Sequence, residues 1–180
     1  MGDNDGISAS AGSSGDDSSP PASSCAAPDQ PLRVDFYVTE GTAAAARLKV
    51  ACRLAEKAYL ASQRALIWHT DRAELEALDE LLWTFADGSF VPHEWLTSNG
   101  PRICETPARV PVLLSAGSPP EAAFDFVINL AADPPPFLHR ARRIAEIIDG
   151  DEGRRRAGRA RFKAYRELGI EPATHTLRTE

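Results

Sequence analysis

The chain of 180 residues holds only three cysteines, and it has no long apolar run. Cys25, Cys52 and Cys104 lie far apart and form no C-x-x-C pair, which argues against a disulfide framework and a zinc site. No apolar run approaches the roughly 18 residues that a membrane-spanning helix needs. We therefore expect a cytoplasmic protein with reduced thiols, no metal and no membrane partner.

The first 30 residues lack Leu, Val, Phe, Trp, Tyr, Lys and Arg, but they hold eight Ser, four Gly, five Asp and three Pro. Such a segment buries too little apolar area to offset the entropy of ordering it, so we expect residues 1–30 to be disordered. The five Asp account for five of the six net negative charges of the chain. Residues 31–180 are therefore nearly neutral, and their length suits one domain.

The chain also lacks the glycine patterns with which many proteins bind nucleotides. The segment VTEGTAAAA at residues 38–46 has one glycine and no lysine, so it matches neither GxxxxGK[ST] nor GxGxxG. Four histidines lie at no metal-ligand spacing from one another or from a cysteine, namely His69, His93, His139 and His175. We expect no catalytic residue and no cofactor, and a nucleotide-binding enzyme is the less favoured alternative.

Hydrophobic patterning predicts alternating strands and helices. The predicted strands span residues 32–39, 64–69, 110–115 and 124–130. The predicted helices span residues 43–61, 71–84 and 139–149, followed by a basic helix that ends at Gly169. This order favours a single layered α/β domain, Rossmann-like, with a mostly parallel central sheet flanked by helices.

The basic segment RRRAGRARFKAYR at residues 154–166 holds seven basic residues and no acidic one. At 100° per residue, the predicted core face carries Ala157, Ala160, Ala164 and Leu168. The opposite face carries Arg155, Arg159, Lys163 and Arg166, with Phe162 beside them. An exposed basic ridge with a ring suits an anionic partner that also has an apolar group, such as an acidic peptide or a nucleic acid. A merely solvated arginine-rich face is the alternative interpretation.

The segment from residue 82 to residue 95 is rich in aromatic and other ring-bearing side chains. It contains Trp83, Phe85, Phe90, Pro92, His93 and Trp95. Two or three of these rings could cap the core, and Trp83 and Phe85 are as suited to that role as to binding. The alternative is a protein-binding surface, because aromatic side chains act as anchors in interfaces.

Five segments spread along the chain together carry a family pattern. They are residues 33–41 (RVDFYVTEG), 78–95 (LDELLWTFADGSFVPHEW), 111–115 (PVLLS), 126–130 (FVINL) and 159–177 (RARFKAYRELGIEPATHTL). In order and spacing they resemble the chi subunit of the bacterial DNA polymerase III holoenzyme. The LW…SFVPH stretch and the R-F-K-A-Y-R…G ending are the most specific parts of a resemblance that covers nearly all of residues 32–178.

The resemblance implies a non-catalytic accessory subunit of the replicative DNA polymerase. Members of the family pair with the psi subunit, which connects them to the clamp loader, and bind the acidic C-terminal tail of single-stranded DNA-binding protein. A DNA-repair helicase is a further partner in the family and uses part of the psi-binding surface. DNA would then be reached only indirectly, and direct binding of single-stranded DNA by the basic helix is the alternative.

Carried over position by position, the resemblance implies two sets of site residues. The positions that look like the acidic-tail site are Arg155, Arg159, Phe162, Lys163 and Arg166. The positions that look like the psi-binding site are Trp83 and Phe90, with Pro92 and His93 adjacent. Arg159 matches the key arginine of the family, whereas Phe162 stands where the family often has tyrosine. Residues 1–30 depart from the compact family pattern, and the resemblance implies no role for them.

Overall fold

A computed structural model describes residues 31–96, 112–117 and 122–177. The expected disordered segment, residues 1–30, lies outside the described residues. The described helices are α1 (Ala44–Leu60), α2 (Arg72–Thr84) and α3 (Glu152–Glu167), with a short 3-10 helix at Leu138–Arg140. The described strands are β1 (Arg33–Thr39), β2 (Ala65–His69), β3 (His93–Trp95), β4 (Val112–Ala116), β5 (Phe124–Asn129), β6 (Ala141–Ile148) and β7 (Ala173–Leu177).

All seven described strands form one parallel sheet in the order β3-β4-β2-β5-β6-β1-β7. Helices α1 and α2 cover one face, where Leu48 and Leu78 pack with Ile67 of β2. Helix α3 covers the other face, where Tyr165 packs with Leu66 of the same strand. Successive strand residues point to opposite faces, so both faces of the sheet are buried. The predicted Rossmann-like α/β fold is confirmed.

The predicted helix over residues 139–149 is wrong, because this segment forms strand β6. Its Ala, Arg and Glu favour a helix locally, but β6 lies between β5 and β1 and is buried on both faces over Ile144–Ile148. Tertiary packing overrides a helix propensity of a few tenths of a kcal/mol per residue. Ile144, Ile147 and Ile148 of this segment are buried in the core.

Strand β7 at one sheet edge is a second element that the sequence pattern did not indicate. It pairs with β1, and His175 connects the two strands through its side chain. The His175 ring stacks on Tyr37 at 5.1 Å between centroids, and its Nε2 lies 2.8 Å from Oδ1 of buried Asp35. Burial disfavours the charged form of Asp35, but hydrogen bonds from His175, Arg143 and Arg33 outweigh burial and hold its pKa below the ordinary value.

Candidate functional site

Helix α3 has well-formed ends that fix its length. At its start the Asp151 side chain accepts a hydrogen bond from the backbone N–H of Arg154 at 2.9 Å, as an N-cap should. At its end Gly169 takes a φ of +77°, a left-handed conformation that favours glycine, and confirms the predicted helix end. The chain then turns toward β7, with the N–H of Ile170 donating to the carbonyl of Tyr165 at 3.0 Å.

The buried face of α3 differs from the predicted face of alanines and leucine. Gly158, Arg161 and Tyr165 are buried, whereas Ala160 is exposed and the side chain of Leu168 is 63% exposed. Close packing explains the glycine, since a Cβ on Gly158 would lie 2.2 Å from Cδ1 of Ile148. The other two predicted core residues, Ala157 and Ala164, are only partly buried. The prediction placed the apolar side chains of α3 inward. The sequence alone does not show which polar groups of the sheet bind Arg161 and Tyr165.

Those polar partners form a buried network around Glu146 of β6. Its carboxylate accepts hydrogen bonds from Arg161 Nε at 2.8 Å, from the Tyr165 hydroxyl at 2.6 Å and from Asn129 Nδ2 at 2.9 Å. Arg161 also donates to the carbonyl of Ala132 at 2.8 Å. Burial raises the pKa of Glu146, although Arg161, Tyr165 and Asn129 all favour its charged form. This network sets the rotation of α3 about its own axis.

With that rotation fixed, the exposed side of α3 carries the basic face, which we define as Arg155, Arg159, Lys163 and Arg166. All four side chains are exposed, as predicted. Phe162 is not fully exposed, because one side of its ring packs on Phe36 of β1 with centroids 5.3 Å apart. The ring therefore forms the floor of the surface rather than projecting from it.

A surface hollow of about 350 Å³ lies on this side of the helix. We call it the α3 hollow, and it is lined by Arg159, Phe162, Lys163, Arg166, Glu167 and Glu171. Three cations and the Phe162 ring therefore surround one concave site. Arg155 is not among the lining residues. Its Nε donates instead to the carbonyl of Asp149 at 3.3 Å, near the start of the helix.

Acidic side chains that flank the basic face partly neutralise it. Arg159 lies 3.5 Å from Glu152, Lys163 lies 3.7 Å from Glu167, and Arg166 lies 3.8 Å from Glu171. Repulsion among the cations is therefore relieved within the chain, by acids that lie just outside the basic segment in the sequence. Exposed pairs of this kind are worth about 0.2–1 kcal/mol each. A ligand carboxylate can replace such a partner at little cost.

A second surface lies at the end of α2, on the opposite side of the sheet from α3. We define the aromatic patch as Trp83, Phe90, Pro92 and His93. The side chains of Trp83 and Phe90 are 52% and 62% exposed, and their ring centroids lie 5.4 Å apart. The centroid of the Trp83 ring lies 4.8 Å from that of His93 in β3. The His93 side chain is only 2% exposed, and its Nε2 lies 3.3 Å from Asp79, so this residue supports the Trp83 ring from below and offers little surface of its own.

The other two rings of this segment serve the core. Phe85 and Trp95 are partly buried and pack against the cluster under α1 and α2. The guanidinium of Arg72 lies 4.9 Å from the centroid of the Trp95 ring and covers it. The sequence suited Trp83 and Phe85 equally to the core and to a binding surface. In the structure Phe85 belongs to the core, whereas Trp83 is exposed.

The carboxyl edge of the sheet, where parallel α/β folds often bind nucleotides, holds an internal ion-pair cluster. Buried Arg47 of α1 pairs with Glu74 of α2 and donates to the carbonyl of Leu130 at 3.1 Å. Nε2 of His69 lies 2.9 Å from Glu74, and this hydrogen bond, with the charge of Arg47, lowers the pKa of Glu74 to about 2 despite burial. Apart from the buried Nε of Arg47, which has no partner among the described residues, these side chains pair with one another at a position where a nucleotide would need free donors.

Two other kinds of site are absent from the part of the chain that the structure describes. Within residues 31–96, 112–117 and 122–177, no group of three His, Cys, Asp or Glu side chains could hold a metal ion. Over the same ranges, no helix combines the length and the apolar character needed to cross a membrane.

Comparisons with known proteins agree on one family. The model of the family described as DNA polymerase III chi subunit, HolC, matches residues 32–173. DNA polymerase III subunit chi of Pseudomonas aeruginosa is 38% identical over 145 residues, which cover 81% of this chain and 96% of that protein. The corresponding subunit of Escherichia coli is 27% identical over 137 residues, which cover 71% of this chain and 84% of that protein.

Solved structures of other proteins share the fold. The structure of T4 UvsW aligns with a TM-score of 0.54 at 8% identity and covers 82% of this chain and 42% of that chain. The C-terminal domain of the DEAD-box protein Dbp5 aligns with a TM-score of 0.52 at 12% identity, covering 79% of this chain and 90% of that chain. At such low identity the likeness concerns the arrangement of strands and helices alone.

Proposed function

The chain belongs to the DNA polymerase III chi subunit family, and we propose that it is a non-catalytic accessory subunit that links the clamp loader to single-stranded DNA-binding protein. In this proposal one surface binds the acidic C-terminal tail of that protein and another binds the psi subunit. The observation that carries the first half is the α3 hollow, an open site that is lined by three cations, one ring and two glutamates that pair with the cations.

The chemistry of the α3 hollow suits a peptide that is acidic and ends in an aromatic residue with a free carboxylate. The guanidinium groups of Arg159 and Arg166 can each hold a carboxylate through two parallel hydrogen bonds. The terminal ring can pack on Phe162, whose other side rests on Phe36 and is thereby fixed in place. Pre-ordering of that ring reduces the entropy that binding would otherwise cost.

The free energies of the individual contacts indicate which groups of the peptide provide selectivity. Exposed ion pairs supply about 0.2–1 kcal/mol each, so three of them do not account for specific binding. Burial of the terminal ring and a forked contact to its carboxylate supply the rest. We expect a dissociation constant in the micromolar range, about -8 kcal/mol, for a short flexible peptide. Several tails on one oligomeric partner would strengthen attachment through effective concentration.

Calorimetric titration of the full chain with an acidic peptide ending in a free phenylalanine tests this half of the proposal. The matched control is the same peptide without its last residue. We expect micromolar binding of the first peptide and at least about tenfold weaker binding of the second, since the ring and its carboxylate contact are lost together. Equal affinity for the two peptides would mean that charge alone drives binding.

The aromatic patch is the surface that we propose for the psi subunit. Trp83 and Phe90 expose large apolar rings side by side, and exposed aromatic pairs are common anchors in stable interfaces. Pro92 and His93 lie next to them on the segment that leads into β3. The patch and the basic face lie on opposite sides of the sheet, so both partners could bind together. A repair helicase would compete with psi for part of the patch.

Direct binding of single-stranded DNA is the second candidate, and the small number of rings on the basic side of α3 weighs against it. Grooves for single strands stack successive bases on several aromatic side chains, whereas Phe162 is the one ring among the described residues that line the α3 hollow. Binding of a bare oligonucleotide would also depend steeply on salt concentration. A nucleotide-binding enzyme is less supported still, because Arg47, Glu74 and His69 pair with one another at the carboxyl edge.

A further inference from the structure

Residues 1–30 form an acidic segment that precedes the part of the chain matched by the family. The segment contains five aspartates and no lysine or arginine. Four of the aspartates form two close groups, Asp3 with Asp5 and Asp16 with Asp17. Its charge is therefore opposite to that of the basic face, which is carried by the same polypeptide.

The segment joins the fold beside the α3 hollow. Leu32, at the start of the folded part, packs against the same apolar cluster as Phe162 and Ile170. Helix α3 follows β6 and precedes the parallel strand β7, so it runs back toward the edge where β1 begins. The end of α3 that carries Lys163 and Arg166 thus lies at the edge of the sheet where residues 1–30 join β1.

The length of the segment is sufficient to reach every part of the basic face. A chain of 30 residues can span at most about 100 Å when fully extended. The 16 residues of α3 extend over about 24 Å. Both aspartate groups can therefore approach the cations without any change in the fold.

We propose that residues 1–30 occupy the basic face of α3 in the free protein and compete there with an acidic peptide ligand, an inference that rests on the proposed function. The aspartate carboxylates pair with Arg159, Lys163 and Arg166 in place of the flanking glutamates. Ile7, two residues after Asp5, supplies an apolar group for the Phe162 side of the hollow. Residues 1–30 contain no aromatic ring and no C-terminal carboxylate. An acidic peptide that carries both therefore displaces them from the basic face.

The expected strength of this competition follows from effective concentration. A short flexible linker gives an effective concentration of about 1–10 mM. Ion pairs without a ring correspond to an intrinsic dissociation constant of about 1 mM. Occupancy by the segment should therefore weaken peptide binding about two- to tenfold.

The test compares full-length variants that keep the length of the segment. The variant D3N/D5N/D16N/D17N removes four charges, and the control S8N/S10N/S13N/S14N introduces four asparagines without a change in charge. With an acidic peptide ending in phenylalanine, we expect two- to tenfold tighter binding to the Asp→Asn variant and no change for the control. Equal affinity of the wild type and the Asp→Asn variant would overturn the inference and leave the proposed function intact.

A second measurement needs no peptide and separates the two proposals. In the free protein, we expect the Asp→Asn variant to shift the backbone amide resonances of Arg159, Lys163 and Arg166, while the serine variant leaves them in place. Unchanged resonances in both variants would overturn the inference. Shifted resonances together with no binding of the peptide to either chain would instead refute the proposed ligand.

Discussion

Arg161 of α3 and Glu146 of β6 form a buried ion pair in which the Nε of the arginine donates to the carboxylate at 2.8 Å. The two side chains are 4% and 0% exposed. Burial of two charges is costly, but here each has further partners, Tyr165 for the glutamate and the carbonyl of Ala132 for the arginine. The pair fixes which residues of α3 face solvent and therefore determines the composition of the basic face.

Replacement of Arg161 by alanine should destabilise the protein by about 3–5 kcal/mol, because it leaves the Glu146 carboxylate buried without its counter-charge. Urea denaturation of the wild type and the variant measures the difference. The matched control is Arg159→Ala two residues earlier, whose exposed pair with Glu152 is worth at most about 1 kcal/mol. Equal losses in the two variants would show that the buried pair adds no more stability than an exposed one.

Arg159→Ala should weaken binding of the acidic peptide at least about tenfold, since charge-assisted hydrogen bonds to a carboxylate contribute about 1.5–3 kcal/mol. Calorimetric titration provides the measurement. Arg72→Ala is the control, because Arg72 is an exposed arginine on α2, paired with Glu76 on the other side of the sheet. If both substitutions reduced affinity alike, the effect would reflect net charge and not the α3 hollow.

Phe90→Ala should abolish stable association with the psi subunit and leave peptide binding unchanged. The side chain is 62% exposed, so its loss should cost little folding stability, whereas an interface anchor is worth about 2 kcal/mol or more. Co-purification from cells that express both subunits measures the association. Leu60→Ala, at a site 65% exposed on α1, controls for loss of an exposed apolar group. Wild-type yield of the complex with Phe90→Ala would exclude the aromatic patch.

The fold should lose stability in acid partly through Glu74. The hydrogen bond from His69 and the charge of Arg47 lower its pKa from 4.5 to about 2. A carboxyl group with a lowered pKa in the folded state stabilises that state above pH 4.5, and this contribution disappears as the pH falls toward 2.

Glu74→Gln should therefore reduce the free energy of unfolding at pH 7 by up to about 3 kcal/mol and flatten its dependence on pH below 4.5. Urea denaturation at pH 7, 4.5 and 3 provides the comparison. Glu76→Gln on the same helix is the control, because Glu76 forms only an exposed pair with Arg72. An unchanged slope in Glu74→Gln would mean that the pairs with His69 and Arg47 add no stability.

Local sequence patterns were sufficient to predict those strands and helices whose structure depends mainly on their own residues. Alternation predicted β1, the short apolar run predicted β2, and the predicted span 71–84 matches α2, whose N-cap Asp71 accepts from the N–H of Ala73 at 2.9 Å. Spacing also predicted the exposure of the four cations of the basic face, because residues three and four apart share one side of a helix.

The errors fall where a distant residue decides the outcome. The Ala, Arg and Glu of β6 favour a helix until β5 and β1 enclose them. Gly158 and Arg161 look like exposed positions in the sequence, but Ile148 and Glu146 of β6 contact them directly. None of these partners lies close in sequence, so no local pattern could include them.

The central claim is that the α3 hollow is the site of an acidic peptide with an aromatic C-terminus. The most direct test is an NMR titration of the full chain, labelled with nitrogen-15, with that peptide. The account predicts that the largest changes in amide resonances cluster at Arg159, Phe162, Lys163 and Arg166, while those of Trp83 and Phe90 stay in place. Largest changes at the aromatic patch, or no changes at millimolar peptide, would contradict it.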